Sequence, residues 1–164
     1  MSVTDELLAN ATRYAASFDK GDLPLPPARK LAVVACMDAR LNPYGLLGLT
    51  EGEAHMIRNA GGVVTQDVLR SLAISQRLLG TREIILIHHT GCGMLTFSDD
   101  EFKAGILAET GIKPEWSANS FGDLETDVRQ SMQRLAADPF VPHKDSIRGF
   151  VYEVETGALR EVTR

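Results

Sequence analysis

Two cysteines and a pair of adjacent histidines carry the reactive side chains of this 164-residue chain. Cys36 opens the run Cys36-Met37-Asp38-Ala39-Arg40, and Cys92 ends the run His88-His89-Thr90-Gly91-Cys92. While the backbone stays extended, alternate side chains share a face, so Cys36, Asp38 and Arg40 project together. The His-x-x-Cys spacing of His89 and Cys92 lets one turn aim an imidazole and a thiolate at a common point. Soft thiolates with one imidazole suit zinc. Three protein ligands with a fourth position open make a catalytic rather than a structural pattern. Cys36, His89 and Cys92 are therefore the expected ligands, with Asp38 beside them as the one group able to close the site.

Plainer readings exist for each part. A single cysteine at the end of a buried strand is commonly a small core residue, and His-x-x-Cys in isolation is a weak signal. Together, each following an apolar strand, they favour a metal site. No Cys-x-x-Cys spacing is present for a thioredoxin-like pair. His88 competes with His89 for the metal, but His89 has the right spacing to Cys92, and His88 is expected to pack or hydrogen-bond within its strand. His55 and His143 read as structural or solvent-exposed, and Trp116, in a polar loop, reads as a packing anchor rather than a substrate platform. In Arg58-Asn59-Ala60-Gly61-Gly62 the glycines allow close backbone approach and can turn N–H groups toward a small anion. The same residues also suit a tight strand-to-helix turn.

The elements that must position these groups are visible as patterns. Residues 31–36 form a continuous apolar run, as expected of a strand buried on both faces. Residues 54–58 read as a second strand, 83–88 as a third and 147–154 as the last main strand, with 159–162 as a short edge strand after a turn. Helices are expected over 65–79, with Gly80 as a stop, and over 99–109, opened by a capping box at Ser98 and Glu101. A further helix opens at Ser120 or Asp123, with Leu124, Val128, Ser131 and Leu135 on one face. Residues 3–18 show helical spacing after a capping box at Ser2 and Asp5, and the proline-rich residues 21–27 cannot be helical. Strands alternating with helices predict a single α/β domain, with a mostly parallel sheet of four to five strands flanked by helices. The N-terminal helix and strap, residues 1–28, read as an arm, and residues 29–164 as the zinc-binding catalytic domain. In such a sheet the carboxyl ends of neighbouring strands converge on the ligand crevice, which brings Cys36, His89 and Cys92 together.

Composition sets the outer limits. Hydrophobic residues make up 44% and charged residues 24%, with aromatics at 6%, so aliphatic side chains must build one core. Seventeen basic against 22 acidic residues give −5, which argues against nucleic acid or an anionic membrane as partner. No apolar run is long enough to cross a bilayer, and residues 1–20 lack the order of a signal peptide. A cytoplasmic protein is expected, in which a structural disulfide is the less favoured use of two cysteines. Gly-x-Gly-x-x-Gly, P-loop and Gly-x-Ser-x-Gly motifs are missing, so nucleotide binding and serine hydrolysis lose their usual support.

Taken in order, Cys36-x-Asp38-x-Arg40, Arg58-Asn59-Ala60-Gly61 and His89-x-x-Cys92-Gly93 resemble the three motifs of the β-class carbonic anhydrases, most closely the short actinobacterial members. The resemblance covers nearly the whole chain. It implies a homo-oligomer, with a dimer as the minimal unit and a tetramer possible, the N-terminal helix packing on its neighbour and active sites near the interface. It also implies Zn2+ on Cys36, His89 and Cys92, with the fourth position held by water or by Asp38, and Arg40 pairing with Asp38 to draw it off the metal. Asn59, Ala60, Gly61 and Gly91 are expected to line the substrate pocket. Gly91 stands where close relatives often have Asp, a change that would widen it.

The implied reaction is hydration of carbon dioxide to bicarbonate and a proton by a zinc-bound hydroxide. Two thiolates leave the metal unit formally uncharged, so a carboxylate fixed by Arg40 is needed to orient the nucleophile. Carbonyl sulfide or carbon disulfide hydrolysis is the rival on the same site, since linear triatomics offer a carbon to the same hydroxide. A non-catalytic zinc or redox-sensing module is the reading from another class, and it needs a closed site or a disulfide.

Overall fold

Residues 2–163 are described by a computed structural model; Met1 and Arg164, the outer ends of the two expected segments, lie outside it. The chain order is α1 (Val3–Ala16), β1 (Leu31–Cys36), α2 (Pro43–Leu47), β2 (Ala54–Asn59), α3 (Gln66–Leu79), β3 (Glu83–His89), α4 (Asp99–Thr110), α5 (Leu124–Ala137), β4 (Ser146–Tyr152) and β5 (Leu159–Val162). The strands form one sheet in the order β2-β1-β3-β4-β5. β1 runs parallel to both β2 and β3, and β4 parallel to β3, while β5 closes the edge antiparallel to β4.

The apolar runs explain the order. β1 and β3 have no polar face to offer water, so they take central places covered on both sides. Ala32, Val34, Ile84 and Leu86 pack toward α3 and α5, with Leu72, Val128 and Leu135. Val33, Ala35 and Ile87 point the other way, into a cluster that contains Cys36, Leu41, Cys92 and Met94. Burying a Leu or Ile side chain contributes about 1.5–3 kcal/mol, and Leu72, Ile84, Leu86, Ile87 and Leu135 are all fully buried.

Caps define the helix ends much as the residues suggest. Ser2 and Ser98 form capping boxes with Asp5 and Glu101. Asp123, rather than Ser120, caps α5, and Gly80 and Gly111 end α3 and α4 in the left-handed conformation. Several boundaries differ from expectation: β2 runs one residue further, to Asn59, and β4 spans Ser146–Tyr152 rather than 147–154. α1 stops at Ala16 because the Ser17 N–H turns back onto Ala15 and Tyr14 carbonyls. β3 continues through His89, held by pairing of His89 with Tyr152 on β4. The short α2 is additional, opened by Asn42 with Pro43 in its first turn and ended by Gly48. α1 buries none of its residues against the rest of the chain. Among the described residues no helix is long and apolar enough to cross a membrane.

α5 lies directly on β4 because Gly149 has no side chain there. A Cβ at this position would collide with Val128 Cγ1 and sit 3.1 Å from the Met132 sulfur. Gly149→Ala is expected to cost about 1–3 kcal/mol by overpacking, read as a lower thermal or denaturant midpoint. Val128→Ala in the same chain should recover part of that loss; a double variant no more stable than Gly149→Ala would show that the collision is not the cause.

Candidate metal centre

The centre stands where two central strands end. Cys36 is the last residue of β1 and His89 the last of β3. Parity along β3 separates the two histidines: His88 continues the Ile84 and Leu86 face, and His89 the Ile87 face. His88 therefore meets α5, where its Nε2 lies 2.6 Å from Asp127 Oδ2, with Phe121 stacked on it at 5.2 Å. His89 instead faces the cysteines. Ligand atoms of Cys36, His89 and Cys92 all lie within 4.8 Å of one another, and all three residues are buried.

Each of the three is held by its own support. His89 Nδ1 lies 2.9 Å from the Thr90 carbonyl, which fixes Nδ1 as the protonated nitrogen. That leaves Nε2 as a lone pair, buried and without a hydrogen-bond partner. Thr90 is pinned to the end of β4 through its N–H to the Tyr152 carbonyl and its Oγ1, which accepts from the Val154 N–H. The Cys36 sulfur accepts from the backbone N–H groups of Asp38 and Gly61, and that of Cys92 from the Met94 N–H. The Gly61-Gly62 turn is tight, and the Gly61 N–H faces the Cys36 sulfur. Gly61 and Gly62 have φ of +84° and +66°, and a Cβ on Gly62 would sit 2.8 Å from the Cys36 nitrogen. Only glycine fits so close to β1.

The two thiols behave as a pair sharing a proton. The hydrogen bond from Cys92 draws the Cys36 thiol far below its ordinary value, against burial. That same bond, together with burial, pushes Cys92 up. Burial alone would lower His89, but its contact with Cys36 and the Thr90 carbonyl outweigh it and raise the imidazole. These residues fit a zinc ion. The donor set is two sulfurs and one imidazole, the imidazole is oriented by an outer carbonyl, and its free nitrogen is an orphaned buried atom aimed between the sulfurs.

Asp38 lines the cavity beside the sulfurs, and Arg40 backs it from outside the lining. Arg40 Nε and Nη2 grip the two carboxylate oxygens at 2.9 and 2.8 Å, and the Arg40 N–H adds a third bond to Oδ1 at 2.9 Å. Arg40 Nη2 also donates to the Gly91 carbonyl. These bonds hold the Asp38 carboxyl well below the usual carboxylate range, the Arg40 side chain first among the causes. Asp38 Oδ2 lies 3.7 Å from His89 Nε2, so the carboxylate reaches the centre while still gripped by Arg40.

A cavity of about 640 Å³ opens over the sulfurs. Asn59, Ala60 and Gly61 line it together with Cys36, Asp38 and Cys92. Gly91 does not. It is exposed, at φ +62°, and faces Arg40 behind the wall, so its lack of a side chain affects the Arg40 side and does not widen the cavity. Trp116 also departs from its expected role: it is 55% exposed and lines the cavity mouth with Phe97 and Phe102. The rings stand 5.1 Å (Phe97–Phe102) and 6.2 Å (Phe102–Trp116) apart. This aromatic wall escapes sequence reasoning, because no local pattern brings Phe97, Phe102 and Trp116, which flank or lie on α4, over the ends of β1 and β3. His55, bonded to Ser75, and His143, beside Arg82, lie outside the cavity.

Residues 31–159 match the family model described as carbonic anhydrase. "Beta-carbonic anhydrase 1" of Mycobacterium tuberculosis is 64% identical over 163 residues, covering 99% of each chain. The crystal structure of carbonic anhydrase from Streptococcus mutans superposes with a TM-score of 0.93 at 40% identity, covering 99% of both chains. A carbon disulfide hydrolase of an Acidianus species is 34% identical over 183 residues, covering 96% of this chain and 87% of that protein. Motifs, sheet order and relatives agree, and the chain belongs to the β-carbonic anhydrase family.

Proposed function

We propose that the chain catalyses the reversible hydration of carbon dioxide to bicarbonate and a proton, with zinc held by Cys36, His89 and Cys92. The observation that carries this reading is the buried, unpartnered His89 Nε2 converging with two sulfurs under an apolar cavity. Zinc in such a site supplies an acidified water, its pKa brought from about 15.7 toward 7, and so a hydroxide nucleophile at neutral pH.

The protein's own groups supply the rest. Asp38 accepts a hydrogen bond from the attacking oxygen and aims its lone pair at the substrate carbon. Arg40 keeps that carboxylate ionised and in place. Its depressed pKa has a definite sign: the pair contributes above the unfolded carboxylate value of about 3.9 and is lost only as pH falls through the lower folded value. Asp38 therefore stays charged across neutral pH and acts as an acceptor, never as the acid. The walls from Ala60, Val63, Met94, Phe97 and Phe102 exclude water and suit a small substrate with no net dipole. Carbonyl sulfide or carbon disulfide would meet the same surfaces, and the Acidianus relative's name keeps that reading in view. The 64% identical carbonic anhydrase favours carbon dioxide.

We further propose that residues 1–28 act as an arm for a second copy of the chain, with a dimer as the smallest unit. Val3, Leu7, Leu8, Tyr14 and Phe18 lie exposed on this segment, an apolar face that a monomer leaves uncovered.

Three outcomes follow. Zinc affinity, measured by chelator competition, should rise at least about tenfold per pH unit between pH 6 and 8, because the Cys92 proton must leave. A flat profile would mean both sulfurs are already ionised. Arg40→Ala should lower kcat/KM for carbon dioxide at least tenfold in stopped-flow hydration, while His143→Ala stays within twofold of the parent; a fully active Arg40→Ala chain would remove Arg40 from the reaction. Carbon dioxide hydration should exceed sulfide release from carbonyl sulfide when both are measured on one preparation, and the reverse order would assign the rival substrate.

A further inference from the structure

Arg58 makes no ion pair among the described residues, and its guanidinium is nonetheless heavily engaged. Nε and Nη2 both donate to the Cys36 carbonyl, at 2.8 and 2.6 Å. Nη2 also reaches the Asp38 carbonyl at 2.8 Å and the Leu41 carbonyl at 3.0 Å. Three carbonyl oxygens of one six-residue turn thus converge on a single cation carried by the neighbouring strand, β2. Without that charge their negative ends would face one another at close range. A planar fork of five N–H groups can serve such a cluster, whereas a lysine ammonium is a point donor on a flexible stem.

The turn held this way contains both a proposed zinc ligand and the carboxylate. Cys36 is its first residue, Asp38 its third and Leu41 its last. Other bonds run along the same path: the Met37 N–H donates to the Asn59 carbonyl at 2.8 Å, and the Leu41 N–H to the Asp38 carbonyl at 3.1 Å. The Asp38 carbonyl therefore receives both the turn's own N–H and Arg58, which fixes the peptide from which the Asp38 side chain springs. Arg40 sets the carboxylate from its outer side, and Arg58 sets the backbone beneath it.

We infer that Arg58 is a positioning residue for the reaction: by clamping the Cys36, Asp38 and Leu41 carbonyls it holds the Asp38 carboxylate at its working distance from the metal centre. This rests on the proposed function for its kinetic arm only. Arg58 touches neither substrate nor ligand atoms, so its loss acts through Asp38.

The test uses the zinc-loaded full-length protein and a cobalt-loaded counterpart. Arg58→Lys should keep one metal per chain and lower kcat for carbon dioxide hydration tenfold or more, with KM within twofold. Its cobalt form should show altered visible absorption bands, reporting a changed environment at the metal. In an Asp38→Asn background the same substitution should produce no further loss in kcat, because its effect passes through that carboxylate. Losses that multiply in the double variant would overturn the inference, as would parental kcat with a parental cobalt spectrum. If Arg58→Lys does not fold, Arg58→Gln is read in the same cycle, its amide retaining donors for part of the carbonyl cluster. A parent chain without carbon dioxide hydration would overturn the functional reading alone, since the cobalt spectra of parent and variants still report whether Arg58 shapes the centre.

Discussion

Everything at the metal centre depends on the parallel register of β1 and β3. Leu31 pairs with Glu83 and Ala35 with Ile87, so the two strands reach their carboxyl ends side by side. Cys36 then emerges beside the turn that carries His89 to Cys92. A slip of one residue in β3 that put Ile87 in the place of His88 would send His88 toward the cysteines. The register is protected because both faces of these strands are buried, and a slip would turn Asp127 away from a histidine and leave it against an aliphatic side chain. The His88–Asp127 bond at 2.6 Å thus acts as a register lock on the opposite face of the strand from the reactive one.

Around that register the structure arranges donors so that negative groups never face each other unsupported. Two sulfurs, a carboxylate and several carbonyl oxygens crowd one strand end. Backbone N–H groups from Asp38, Gly61 and Met94 meet the sulfurs, Arg40 meets the carboxylate, and Arg58 meets the carbonyls. The centre is therefore preorganised to receive a cation, with the His89 lone pair left unsatisfied beside the sulfurs and Asn59 Oδ1 unsatisfied in the cavity lining. Buried groups that are costly to leave unpaired are where a ligand adds most to stability. The glycines of the Gly61-Gly62 turn are required by the same logic, because the Gly61 N–H reaches Cys36 only if the backbone passes close to β1.

Much of this was legible in the residues. Apolar runs gave the central strands, capping boxes gave the starts of α1 and α4, and strand ends converging on one crevice gave Cys36, His89 and Cys92 as neighbours. Even the choice between the two histidines is encoded, since alternation from Ile85 and Ile87 assigns His89 to the reactive face. What escaped depends on distant segments meeting. Trp116 and Phe102 join the cavity wall only because α4 and its following loop fold over the strand ends. Gly91 was misplaced because its own left-handed turn directs it at Arg40, a contact 51 positions apart. The short α2 did carry a local signal, Asn42-Pro43 followed by Gly48, but five residues give too little periodicity to stand out from a loop.

The division between a polar floor and an apolar enclosure explains how a small nonpolar molecule can be processed at all. Carbon dioxide offers almost nothing to bind: no charge, no net dipole and little surface. Discrimination by tight contact is therefore unavailable, and the cavity over the sulfurs is mostly apolar, with Val63, Met94, Phe97 and Phe102 in its lining. The aliphatic and aromatic walls supply the enclosure, and the Asp38 carboxylate, gripped by Arg40 from outside the lining, is the charged group beside the sulfurs.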